Sequence, residues 1–89
     1  MANKSQKDKV WDKAKPIKGE NPDNYRQDPY GNKIRYDSYG KDTTMGWEID
    51  HIKPSAIGGS DDIRNLQALK TSVNREKGDS TKKKSRHSQ

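Results

Sequence analysis

Large apolar residues are scarce along this chain, and the few present recur with two periods. Val10, Trp11 and Ala14 fall on one face of roughly two helical turns. Ser5 stands as the N-cap of that helix, with Asp8 three residues on in capping-box spacing, and Pro16 stops it. Residues 18–23 (KGENPD) form a polar loop. Residues 24–40 read as a hairpin. Pro29, Gly31 and Asn32 supply the turn chemistry, and Ile34, Tyr36 and Ser38 alternate with Arg35, Asp37 and Tyr39 at a strand period. The tyrosines there serve packing in a sheet poor in aliphatics.

The clearest strand is 47–52, entered sharply at Gly46. Trp47, Ile49 and His51 share one face, and Glu48, Asp50 and Ile52 share the other. Residues 55–64 are a loop whose most flexible point is Gly58-Gly59, and 66–69 a second short strand. Thr71 or Ser72 caps a helix to about Lys77, with Gly78 as the residue that closes it. A helix this short is unstable alone, so Val73 and Leu69 must pack it down. The predicted fold class is α+β: a strand–loop–strand–helix core at 47–79 propped by an N-terminal helix and β-hairpin at 8–46. Residues 1–7 and 80–89 are expected to be disordered basic arms.

Composition sharpens this picture. Only 25% of residues are hydrophobic and none is Phe, so the core of an 89-residue chain is marginal. Small scaffolds of this kind recruit a staple. With no Cys, neither a disulfide nor a Cys-ligated structural zinc is available. A hard metal on oxygen ligands, or a bound partner, remains. No apolar run reaches membrane-spanning length and MANKSQKDK has no signal-peptide core, so a soluble, intracellular protein is expected.

The net charge of +6 is concentrated at the ends. Residues 1–18 carry six Lys against two Asp, and residues 80–89 carry Lys82, Lys83, Lys84 and Arg86 with no acid. Cationic arms on a mildly acidic centre suit a phosphate backbone. His87, in the tail, is a solvated residue, and Asp61-Asp62 cap the loop before Ile63.

Candidate chemistry lies in 47–79. Asp50 and His51 are adjacent, Asn65 follows His51 by fourteen residues, and Asn74 follows by nine more. Phosphodiester hydrolysis needs an activated water, neutralised phosphate charge and a stabilised leaving oxygen. An imidazole can act as general base near neutral pH. Asp50 offers an anionic oxygen and Asn74 a carbonyl oxygen, a pair that favours magnesium or manganese over zinc. Asn65 both donates and accepts, so it can tie the Gly-rich loop across to the first strand. In an ideal strand Asp50 and His51 point to opposite faces, so their convergence requires the strand to end or bulge there. Pro54 agrees with a strand that stops.

The run DHIKPSAIGGSDDIRNLQALKTSVNREKGD resembles the HNH endonuclease motif, with its ββα-metal (His-Me finger) fold. The likeness covers 47–79: the Asp-His pair, the following Pro, Gly-Gly before the acidic pair, Asn-Leu-Gln and Asn-x-x-Lys-Gly. It implies that His51 is the general base, Asn65 the loop-positioning residue, and Asp50 and Asn74 the metal ligands. The third signature position is Asn, as in the nuclease domain of RNA-guided effectors and in phage junction-resolving enzymes. This departure from His hardens the site towards magnesium.

The resulting expectation is a metal-dependent DNA endonuclease, nicking or cutting double-stranded or branched DNA with weak sequence preference. Lys33, Arg35, Arg64, Lys70, Arg75 and Lys77 are its candidate DNA contacts. The alternatives are a catalytically idle HNH module that only grips DNA, and a nuclease toxin or phage component controlled by a partner. The sequence does not specify oligomeric state.

Overall fold

The computed structural model describes residues 4–77, and its centre is a two-stranded antiparallel sheet covered on both faces. β4 (Trp47–His51) pairs with β5 (Leu66–Lys70) in unbroken register, from Trp47 opposite Lys70 to His51 opposite Leu66. Because side chains alternate along a strand, this register sorts them cleanly. Trp47, Ile49, Leu66 and Ala68 belong to the core cluster on one face. Glu48, Asp50, Gln67 and Leu69 lie on the other, where the C-terminal helix α2 (Thr71–Lys77) packs.

The first face is closed by the N-terminal scaffold. Helix α1 (Gln6–Lys13) starts at Ser5, whose hydroxyl accepts from the Asp8 amide, and buries Val10 and Trp11. It begins at Gln6, so the predicted disordered arm does not reach residue 7. Asp8 does not complete a capping box; its carboxylate takes the Tyr36 hydroxyl at 2.5 Å. The second sheet is three-stranded, in the order β1 (Lys15–Pro16), β2 (Tyr25–Gln27), β3 (Lys33–Arg35), and sends Ile34 into the core.

Two expectations are corrected here. The strand predicted through Tyr39 ends at Arg35, and Tyr36–Ser38 is a 3-10 turn. Aromatic packing outweighs the period-two pattern. Tyr36 meets Trp11 edge-on at 5.5 Å, and Tyr39 meets Trp47 at 4.8 Å. At α2, neither Thr71 nor Ser72 is a cap, because both lie inside the helix. The Thr71 hydroxyl is buried with no hydrogen-bond partner among the described residues. The entering backbone is satisfied by tertiary partners instead. The Lys70 amide donates to Asp28 and the Thr71 amide to the Gly46 carbonyl at 2.9 Å. Gly78 and the 80–89 tail lie outside the described residues.

Asp28, which neither residue pattern nor spacing singles out, is a buried carboxylate in the hairpin turn. It accepts from the amides of Tyr30, Asn32 and Lys70 and from the Asn32 side chain, tying the hairpin to the start of α2.

Candidate active site

The face of β4 beneath α2 gathers oxygen-bearing side chains. Asp50 is only 5% exposed. Gln67, its register partner on β5, donates to Oδ2 at 2.8 Å, and Lys77 donates to Oδ1 at 2.5 Å. A carboxylate removed from water needs both a counter-charge and hydrogen bonds, and this one has them. Two residues earlier on the same face, Glu48 accepts from the Asn74 side-chain Nδ2 at 3.0 Å and from the Arg75 guanidinium at 3.4 Å. The Asn74 carbonyl oxygen carries no hydrogen bond among the described residues.

His51 belongs to the opposite face, at the last position of β4. Its Nε2 lies 2.7 Å from Asp61 Oδ1, and its side chain is 34% exposed. Its carbonyl accepts from Lys77 at 3.1 Å. No bulge turns Asp50 and His51 to one side: the register is regular through both, and the strand simply ends. Backbone pairing dominates the pleat up to His51, so no contact joins the two side chains among the described residues.

Beyond the strand the chain passes through 3-10 turns Ser55–Ile57 and Ile63–Asn65. Asn65 clamps this loop. Its Oδ1 accepts from the Lys53 amide at 2.8 Å, and its Nδ2 donates to the carbonyls of Lys53 at 3.0 Å and Ser60 at 2.7 Å. Asp62 caps the second turn through the Arg64 amide. The Arg64 side-chain hydrogen bonds, followed by that backbone bond, hold the Asp62 carboxyl below the usual carboxylate range, and Asp62 raises Arg64 in return. Gly58-Gly59 is a tight crossing, not a loose one. Gly58 has φ +93°, and a Cβ on Gly59 would stand 1.7 Å from the Lys53 carbonyl oxygen.

The predicted DNA contacts divide. Arg64 is exposed although paired with Asp62, and Arg35 lies 3.9 Å from Asp37. Lys33 pairs with Glu20, Arg75 with Asp42 and Glu48, and Lys70 is half-buried. Lys77 is a correction: it is 6% exposed with its ammonium turned onto Asp50. The burial of Asp50 explains this, since the nearest cation on α2 must neutralise it. Three site residues were missed. Glu48 was legible, because a residue two before Asp50 must share its face; Asp61 and Gln67 depend on tertiary placement. A cavity of about 390 Å³ beside Gln67 is lined by Lys13, Lys15, Gln27 and Ile52, and by none of Asp50, His51, Asn65 or Asn74. The candidate chemistry therefore lies outside that cavity.

The donors fit a hard divalent ion in type: the carboxylates of Glu48 and Asp50 on one face of β4, and the amide oxygen of Asn74 on the helix packed there. No group of three or more His, Cys, Asp or Glu side chains is poised around a single point among the described residues. For an ion to take Asp50, Lys77 has to yield Oδ1.

Two antiparallel strands joined by a clamped loop and followed by a helix make the ββα arrangement, with an Asp-His pair ending the first strand. The profile of the HNH endonuclease family matches residues 36–80, half of the chain, and the chain belongs to that family. No curated protein and no solved structure matches it. Membership points to nuclease activity in general, to a nucleic-acid substrate and to use of a divalent metal. No helix among the described residues is long and apolar enough to cross a membrane.

Proposed function

We propose that this protein is a metal-dependent endonuclease that hydrolyses phosphodiester bonds in DNA, using magnesium or manganese, with weak sequence preference. The observation that carries the reading is the end of β4. Successive residues there present Asp50 beneath α2 and a half-exposed imidazole held by Asp61. Asp50 and Asn74 would hold the ion, with Glu48 beside them. When bound, the ion neutralises phosphate charge and stabilises the leaving 3′-oxygen. His51 takes a proton from water as the water oxygen bonds to phosphorus and the bond to the 3′-oxygen breaks. The departing oxygen then takes a proton from solvent. Asn65 holds the loop that faces His51. Arg64, Arg35, Lys33, Lys70 and Arg75 supply cationic contacts to the backbone of double-stranded or branched DNA.

The test is plasmid nicking with magnesium, with EDTA and His51→Ala as controls. Nicking that both controls abolish supports the reading; no nicking by the wild type, or equal nicking by the variant, overturns it. One observation favours a second reading, an idle module that grips DNA without turnover: Asp50 is already fully paired by Lys77 and Gln67. Salt-dependent DNA binding without cleavage in magnesium or manganese would establish it.

A further inference from the structure

We propose that Asp61 is a positioning residue that holds the His51 imidazole with its proton on Nε2, leaving Nδ1 as the atom that takes the proton from water, and that Asn65 acts on His51 through Asp61. The base role rests on the nuclease reading above; the orientation does not. His51 Nε2 lies 2.7 Å from Asp61 Oδ1. An ionised carboxylate only accepts hydrogen bonds, so Nε2 is the donor. In the neutral ring the proton then sits on Nε2 and the lone pair on Nδ1. No described group bonds Nδ1.

The Asp61 side chain is itself 83% exposed, yet its backbone is held on both sides. Before it, the Ser60 carbonyl takes the Asn65 side-chain amide at 2.7 Å. After it, the Asp62 amide donates to Ser60 Oγ at 3.2 Å, and Asp62 caps the 3-10 turn. The other side of the pair is equally fixed. The His51 carbonyl is bound by Lys77, and the Ile52 amide donates to the Asn65 carbonyl at 2.8 Å. Asn65 thus grips the chain next to both partners. An exposed pair of this kind adds little to stability. Its effect falls on orientation, and so on rate.

The experiment uses the full chain with His87→Gln, which leaves one imidazole signal. Nitrogen NMR at alkaline pH, where imidazole is neutral, reads the tautomer directly and needs no cleavage. The expected result is a single Nε2-protonated form in the Asp61 protein and a mixture in Asp61→Ala, with the folded spectrum otherwise kept. In single-turnover cleavage at saturating DNA, Asp61→Ala should be slower by on the order of ten- to a hundredfold with DNA affinity unchanged. Asp61→Asn, which retains an acceptor oxygen, should recover most of that loss. The same tautomer pattern in both proteins overturns the inference, as does an unchanged cleavage rate. A wild type that does not cleave counts against the nuclease reading alone, and the NMR comparison still decides the orientation.

Discussion

Lys77 and Asp50 form an ion pair across the α2–β4 boundary, and both side chains are almost fully removed from water. The pair joins the last residue of the helix to the strand that carries the candidate chemistry. In the proposed reading it also sets a competition between an ammonium and a metal for one carboxylate. Replacing Lys77 by Met should destabilise the protein by about 3–5 kcal/mol, since it leaves a buried charge without its partner. Urea denaturation measures this. Magnesium should restore more stability to the variant than it adds to the wild type, because only in the wild type must it displace Lys77.

Asp28 should matter to the fold far more than its place in a surface turn suggests. Asp28→Ala strips the acceptor from three backbone amides and one side-chain amide. A loss of about 3 kcal/mol or more follows, since hydrogen bonds to charged groups are worth roughly 1.5–3 kcal/mol each and partners are left unmet. Hydrogen exchange should report faster opening at Lys70 and Thr71 as well as in the hairpin. Exchange accelerated in the hairpin alone would contradict the link to α2.

Gly59 tolerates no side chain. An added Cβ meets the Lys53 and Pro54 carbonyls, which are backbone and cannot swing aside. Gly59→Ala should cost about 1–3 kcal/mol and displace the 54–60 loop. The amide shifts of Lys53 and Ser60, which meet on the Asn65 side chain, are the sensitive measurement. Gly58→Ala meets only the tip of Lys53 but has to hold a positive φ, and should cost less.

Asp62 gives the loop a defined acid limit. Its carboxyl is held below the ordinary carboxylate range by Arg64, so its folded pKa lies under its unfolded one. The stabilisation it brings is present above the unfolded value and is lost as pH falls through the folded one. The cap on Ile63–Asn65 should therefore survive mild acid and release only below the usual Asp range. An NMR titration of the Arg64 amide should show that late transition, and Asp62→Asn should remove it.

The sequence made the strands at 47 and 66, the short helix and the N-terminal helix legible, because each carries its period or cap locally. The Tyr36–Ser38 turn was not legible, since the pull of Trp11 and Asp8 on Tyr36 comes from 28 residues away or nearly so. Within the site, Asp50, His51, Asn65 and Asn74 were singled out by residue type and spacing. Their partners were hidden for a physical reason. Lys77 reads as a surface cation until Asp50 is seen to be buried, and Asp61 reads as a loop acid until His51 is seen beside it.

Lys13, on the N-terminal helix, places its ammonium on the carbonyl oxygens of Ile63 and Leu66, at 2.7 and 2.6 Å. Those carbonyls flank Asn65. The segment that matches the family begins only at residue 36, so this brace, together with Val10, Trp11 and Ile34, comes from outside the shared motif. The packing that supports the site accordingly extends beyond the recognisable segment. A fragment cut to the family boundary keeps every signature residue, yet loses the wall against which Trp47 packs and the cation that steadies the loop.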